Sequence, residues 1–331
     1  MDLSTTYMGL DLPGPLVASA SPLNARLENL LELQAMGAGA VVLPSVFEEQ
    51  IERDAAILEA LIDHGGESYG EALSYFPPQT AQSFDTERQF DLLEQAARRL
   101  DIPVIASLNG ITDSGWIDYA QRFQDAGASA IELNIFLIPS DPTVTGEAVE
   151  ARYVDVTAAV ASSVDIPVAV KIGPYFSSPG HLAGRLVAAG ARGLVLFNRF
   201  FQPDIDPDTL SVEPSLALSN GFEMRLPLLW IGVLAGRLDA SLAATTGVET
   251  ARDAAKYLLA GADVVMTTSA LLRHGIGHMR VLNDGLADWL SARGASRLSD
   301  IRGVLSHGRI DDPEAYERAN YIRVLQGYSA R

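Results

Sequence analysis

Ala189-Gly190-Ala191-Arg192-Gly193-Leu194-Val195-Leu196-Phe197 decides the fold, because its phrase returns along the chain. It is heard as Met36-Gly37-Ala38-Gly39-Ala40 before Val41-Val42-Leu43, and as Ala126-Gly127-Ala128 before Ala130-Ile131-Glu132-Leu133. It comes again as Ala260-Gly261-Ala262 before Val264-Val265-Met266. Each time a helical pattern ends, glycine supplies the left-handed cap, and a buried strand begins two or three residues later. Two more apolar runs enter through proline, Asp101-Ile102-Pro103-Val104-Ile105-Ala106 and Asp165-Ile166-Pro167-Val168-Ala169-Val170. Proline is tolerated there because a strand's first residues owe no ladder donor.

Pro15-Leu16-Val17-Ala18 and Ala240-Ser241-Leu242-Ala243 complete a set of eight strands. The helical patterns between and after them fall near 26–36, 86–100, 114–126, 147–163, 179–189, 226–237, 249–260 and 276–292. Strands apolar throughout, alternating with helices, predict an α/β fold of the TIM (β/α)8 barrel type. The rival, a doubly wound open sheet, lacks its G-x-G-x-x-G turn after the first strand. One domain is expected, a barrel over 1–303 with a C-terminal helical extension over 304–331. Long excursions at 45–85, 135–147 and 198–225 follow strands, on the side where such barrels build their sites. The stretch 65–80, with Tyr69, Tyr75 and Phe76-Pro77-Pro78, suits a lid or a packed surface loop.

The 331 residues are 48% apolar and 20% charged, a well-cored globular composition with a formal charge of −18. So acidic a surface repels phosphate backbones and anionic headgroups, which argues against nucleic-acid or membrane partners. With no cysteine, disulfides, thiolate metal sites and a cysteine base are excluded. No apolar run approaches the ~20 residues that span a bilayer, and a cytoplasmic protein is expected.

In a barrel the carboxyl ends of the strands share one mouth. They carry Ser19, Pro44-Ser45, Ser107-Leu108-Asn109-Gly110, Asn134, Lys171, Asn198, Thr245-Thr246-Gly247 and Thr267-Thr268-Ser269. Lys171 is conspicuous because only two lysines occur, the other being Lys256, against 22 arginines. An ammonium ending a buried strand is costly unless an anionic or electron-rich group meets it. Three asparagines beside it suit a flat heterocycle edged with carbonyls and ring nitrogens. The carboxylate at hand is Glu132, further back in the fourth strand. The five histidines are scattered and none ends a strand, so no metal site is expected. Hydroxyls and glycine at the last two strand ends precede helix starts, whose N–H groups form phosphate sites. Capping would explain one such end; two adjacent ends favour a phosphorylated cofactor.

These residues resemble the dihydroorotate dehydrogenase family, most nearly its soluble branch. The likeness runs from Pro15-Leu16-Val17-Ala18-Ser19-Ala20 to Gly303. Its specific pieces are Ser107-Leu108-Asn109-Gly110, Glu132-Leu133-Asn134, Val170-Lys171-Ile172-Gly173-Pro174-Tyr175-Phe176, Thr246-Gly247-Val248, Asp253-Ala254 and Ser269-Ala270-Leu271. The resemblance implies an FMN oxidoreductase that converts dihydroorotate to orotate in pyrimidine biosynthesis, commonly as a homodimer. It implies flavin or substrate contacts at Ser19, Ala20, Asn109, Asn134, Lys171, Asn198 and Gly221. It places Thr246, Gly247, Thr268 and Ser269 at the FMN phosphate.

Two positions depart from the family pattern. The loop after the fourth strand usually reads Asn-x-Ser-Cys-Pro-Asn, and its Cys (Ser in the membrane-linked branch) takes a proton. Here Asn134-Ile135-Phe136-Leu137-Ile138-Pro139-Ser140 puts Leu137 at that position, with Ser140 three residues on. Pro44 stands where the soluble branch has a lysine. The chemistry expected is thus catalysis by Lys171 and Asn134 with Ser140, Tyr175 or water as base. The alternatives are the same flavin chemistry on another substrate, a Schiff-base lyase using Lys171, and a non-catalytic flavin-binding protein.

Overall fold

The computed structural model describes residues 1–47, 86–110, 116–199, 202–213, 217–316, 321–322 and 325–327. The chain opens with a short antiparallel hairpin, β1 (Thr5–Tyr7) and β2 (Leu10–Leu12). Then come β3 (Leu16–Ala18), α1 (Leu27–Ala35), β4 (Ala40–Phe47), α2 (Thr86–Arg99), β5 (Val104–Gly110) and α3 (Trp116–Asp125). They are followed by β6 (Ala130–Ile135), α4 (Gly146–Ser163), β7 (Val168–Ile172), α5 (Pro179–Ala188) and β8 (Gly193–Leu196). A second hairpin, β9 (Asp204–Asp206) with β10 (Ser211–Glu213), precedes α6 (Arg225–Leu234). β11 (Ser241–Ala244), α7 (Ala251–Ala260), β12 (Val264–Thr267), α8 (Ser269–His274) and α9 (His278–Ser291) follow.

β3 to β8, then β11 and β12, close into one parallel barrel, as the repeated phrase predicts. Gly37, Gly127, Gly190 and Gly261 all take positive φ, between 91° and 118°, where the preceding helix stops. At the start of α7, Thr250 and Asp253 form a reciprocal capping box, which satisfies amides the first turn leaves open.

The barrel separates two apolar shells. Outward residues such as Leu133, Val170, Leu194 and Leu196 pack beneath the helices. Inward residues form a smaller cluster in which Ala40, Ala130, Ala169 and Ala243 leave room for Tyr7, Met8 and Leu12. The β1–β2 hairpin therefore closes the amino-terminal end of the barrel from below. Three-residue strands carry too short a pattern to be read as elements, so the sequence predicts no hairpin here.

One other feature differs from expectation. β4 continues through Pro44 to Phe47, with a register shift against β5 between Val42 and Ser45. Proline cannot donate to the ladder, so the strand bulges there and resumes rather than ending. The described part of the tail has 3-10 turns at Leu298–Asp300 and Pro313–Tyr316 and helical residues at 321–322 and 325–326. It docks through Tyr316, whose hydroxyl donates to Leu305 O and whose ring covers Gly232. The suggested lid at 65–80 lies outside the described residues. No helix among the described residues is long and apolar enough to cross a membrane.

Close backbone approach makes one test of this packing. A Cβ on Gly39 would lie 2.0 Å from Gly14 O, whereas one on Gly146 would meet nothing within 4 Å. Gly39→Ala is expected to lower stability by about 3 kcal/mol, and Gly146→Ala to raise it by about 0.5 kcal/mol. Urea unfolding midpoints of the two variants check this.

Candidate active site

Parallel register sets the site. Asn109 of β5 pairs in register with Asn134 of β6, and Asn134 with Lys171 of β7. Successive side chains alternate across a strand, so one row of inward residues stands at the carboxyl mouth. All three are buried. One row deeper, Ser107 and Glu132 are register partners. Lys171 reaches back so that its Nζ lies 3.3 Å from Glu132 Oε1.

Glu132 is 1% exposed, and its Oε2 has no protein partner. A buried pair of this kind contributes little net stability, but losing either member strands the other charge in a low-dielectric interior. Beside the pair, Asn198 Nδ2 donates to Asn134 Oδ1 at 2.7 Å. That bond leaves an amide donor on Asn134 and the carbonyl oxygen of Asn198 for a ligand.

A cavity of about 150 Å³ opens next to this row, lined by Ser19, Ala20, Lys171, Asn198, Thr246, Gly247, Thr268 and Ser269 among others. These eight of the predicted flavin and phosphate contacts therefore meet in one place. Gly247 has φ +75°, and a Cβ there would lie 2.6 Å from Asn220 O. Its N–H donates to Ser219 Oγ at 3.2 Å, and Ser219 Oγ lies 2.9 Å from Ser269 Oγ. Thr268 Oγ1 donates to Ser19 O at 3.1 Å, tying the last strand end to the first.

Ser219 is absent from the residues the sequence predicts. It comes from the 198–225 excursion, which has no periodicity to mark it. Arg273, on the last turn of α8, donates to Leu218 O at 2.9 Å and Ser219 O at 2.8 Å while paired with Glu249. Sequence spacing gives no hint of that tether, which spans more than fifty residues.

Four candidate residues, Asn109, Asn134, Gly221 and Ser140, are not in the cavity lining. Asn109 and Asn134 belong to the register row but neither is in the lining, which Asn134 reaches through its bond to Asn198. Gly221 sits exposed two residues beyond Ser219, also outside the lining. Ser140 is exposed in the loop after β6, its amide donating to Ile138 O at 2.8 Å. Leu137 packs against the helix-side core. The start of that loop is held by Tyr153, which donates to Ile135 O at 2.9 Å and meets Phe176 edge-on. Burial pushes the Tyr153 phenol up to about 12.

A wider cleft of about 850 Å³ lies at the opposite barrel end, around Met8, Asp165, Arg192 and Asp239. It faces the amino ends of the strands and holds none of the strand-end amides, so size does not make it the site.

Residues 79–290 match the family described as dihydroorotate dehydrogenase. A protein of Aeropyrum pernix, provisionally named dihydroorotate dehydrogenase A (fumarate), is 34% identical over 64% of this chain and 70% of its own length. The catalytic subunit of dihydroorotate dehydrogenase B (NAD(+)) from Thermoplasma volcanium is 25% identical over 92% of this chain and 98% of its own. The chloroplastic dihydropyrimidine dehydrogenase (NADP(+)) of Arabidopsis thaliana is 25% identical over 91% and 76% respectively.

Raised phenol pKa values act on stability in one direction. The benefit of burying neutral Tyr153 is complete below pH 10.0 and is lost as pH climbs toward about 12. This share amounts to roughly 2–3 kcal/mol. Tyr153→Phe should remove it, flattening the alkaline fall in urea midpoint between those two pH values.

Proposed function

The chain belongs to the dihydroorotate dehydrogenase family, and on that premise we propose that it is an FMN-dependent oxidoreductase of dihydropyrimidine rings, taking dihydroorotate to orotate. It is an oxidoreductase by membership. The observation that supports the finer reading is the buried Lys171–Glu132 pair beside the Asn134–Asn198 amide pair, opening onto the cradle of Gly247, Ser219 and Ser269.

The cradle suits FMN on its own chemistry: hydroxyls and a glycine whose Cβ would strike the Asn220 carbonyl are what a phosphate needs for close approach. Ser19, Ala20, Thr246, Gly247, Thr268, Ser269 and Ser219 would hold the cofactor, with Lys171 at its ring. Bound there, FMN would accept hydride from the substrate. The chain's part is to bind, orient and stabilise. Lys171 places a positive charge where negative charge develops, fixed by Glu132 so that little reorganisation is needed. Asn134 and Asn198 offer one donor and one acceptor to the edge of a dihydropyrimidine ring. Leu137 accepts no proton and Ser140 stands outside the cavity, so in this reading the proton leaves to water at the mouth.

A second reading, the same chemistry on an uncharged dihydropyrimidine, draws on the site's electrostatics. Among the described residues, the two cations lining the cavity are both paired with carboxylates: Lys171 with Glu132, and Arg199 with Glu223 at 2.8 Å. An anionic substrate then finds no free cation there, and the overall charge of −18 repels it.

Purified protein should be yellow with a flavin spectrum that bleaches on adding dihydroorotate without oxygen. Bleaching by dihydrouracil alone would select the second reading, and a colourless protein that takes up no FMN would sink both. Lys171→Ala should slow bleaching by about a hundredfold or more, whereas Ser140→Ala should change it by less than about twofold. The β9–β10 hairpin leaves Ile205 69%, Leu210 88% and Val212 66% exposed. That supports a homodimer, for which light scattering should return twice the chain mass.

A further inference from the structure

Among the described residues, two polar atoms inside the barrel have no hydrogen-bond partner, Tyr7 Oη and Glu132 Oε2. Both residues are buried, Tyr7 completely and Glu132 at 1% exposure. Native interiors rarely leave such groups unmatched, and an unmatched pair in one compartment points to a shared link. The compartment is shared. Tyr7 enters from the hairpin below and fills the space left by Ala40, Ala130, Ala169 and Ala243. Glu132 projects inward one register row above Ala130 on β6 and is the register partner of Ala169.

Charge connects them as well. Burial raises the Tyr7 phenol well above its ordinary value, and the Glu132 carboxylate, then that of Asp263, raises it further. A protonated phenol is a donor and a carboxylate oxygen an acceptor, so the two orphaned atoms are complementary. Each atom makes no direct hydrogen bond, while a water needs only two to four polar partners to be held in an interior.

We propose that one interior water joins Tyr7 Oη to Glu132 Oε2, making Tyr7 and Glu132 positioning residues that fix the Lys171 ammonium at the mouth. Lys171 takes Oε1 and the phenol takes Oε2 through the water, so both carboxylate oxygens are satisfied and the carboxylate plane cannot swing. The amino-terminal hairpin thereby does more than fill the barrel. Its tyrosine orients a strand-end cation from the far side of the core. What Lys171 then acts upon rests on the flavin reading above; the linkage itself does not.

The two-lysine composition supplies the test. Protein labelled with ¹³C at lysine Cε gives two side-chain signals, Lys171 and Lys256, the latter exposed and paired with Asp253. Tyr7→Phe deletes one oxygen and should move the Lys171 signal while leaving Lys256 in place. Leu12→Ala, a cavity-forming change in the same cluster, should lower Tm further yet shift Lys171 several-fold less.

Glu132→Gln should also move the signal, and Tyr7→Phe should add nothing in that background. A Lys171 signal that Tyr7→Phe leaves where Leu12→Ala does, or moves equally in the Glu132→Gln background, would overturn the proposal. FMN uptake is followed separately on the same samples. Its failure would strike the flavin reading and leave the signal comparison standing.

Discussion

A closed parallel barrel allows no strand to slip alone. Each strand is hydrogen-bonded on both sides, and a one-residue shift would turn its inward set toward the helices. That constraint brings Asn109, Asn134 and Lys171 into one row from stretches of sequence up to 62 positions apart. It also stacks Glu132 one row beneath, within reach of the ammonium. The helices and their glycine caps maintain the register, and the site is its uppermost layer.

The two halves of that layer are built on different physics. The Lys171–Glu132 pair is rigid because any departure leaves a charge without a partner in a dry core. The cradle is held by small groups at close range: a left-handed glycine, two serine hydroxyls near 3 Å apart, and a threonine bonded across to the first strand. One half fixes where a charge stands, and the other leaves room for a ligand's charge to enter.

Much of this is legible in the sequence because barrel chemistry sits at strand ends, and those ends are marked by apolar runs. The repeated glycine phrase locates strands, and reading one to four residues past each apolar run locates Asn134, Lys171, Asn198, Gly247 and Ser269. What escapes lies where periodicity is silent. Three-residue strands give no pattern for the amino-terminal hairpin. Ser219 reaches the cradle from an aperiodic excursion, held by an arginine more than fifty residues away. Pro44 reads as the end of a strand, whereas the ladder tolerates it as a bulge. Resemblance carries the site further than spacing can, and it also puts Gly221 near a cavity that Ser219 lines instead.

The tether from Arg273 to Ser219 joins two equilibria. The excursion from 198 to 225 contributes a hydroxyl to the cradle, yet its described regular structure before α6 is limited to one exposed hairpin. Its docking combines contacts to Arg273, Ser269 and Gly247 with burial of Met224 in the main core. Whatever fills the cradle would meet a wall held partly by side-chain bonds, and by linkage an occupant that binds only the docked arrangement would stabilise it. A ligand in a site of about 150 Å³ would then strengthen the Ser219–Arg273 tether as well as its own hold.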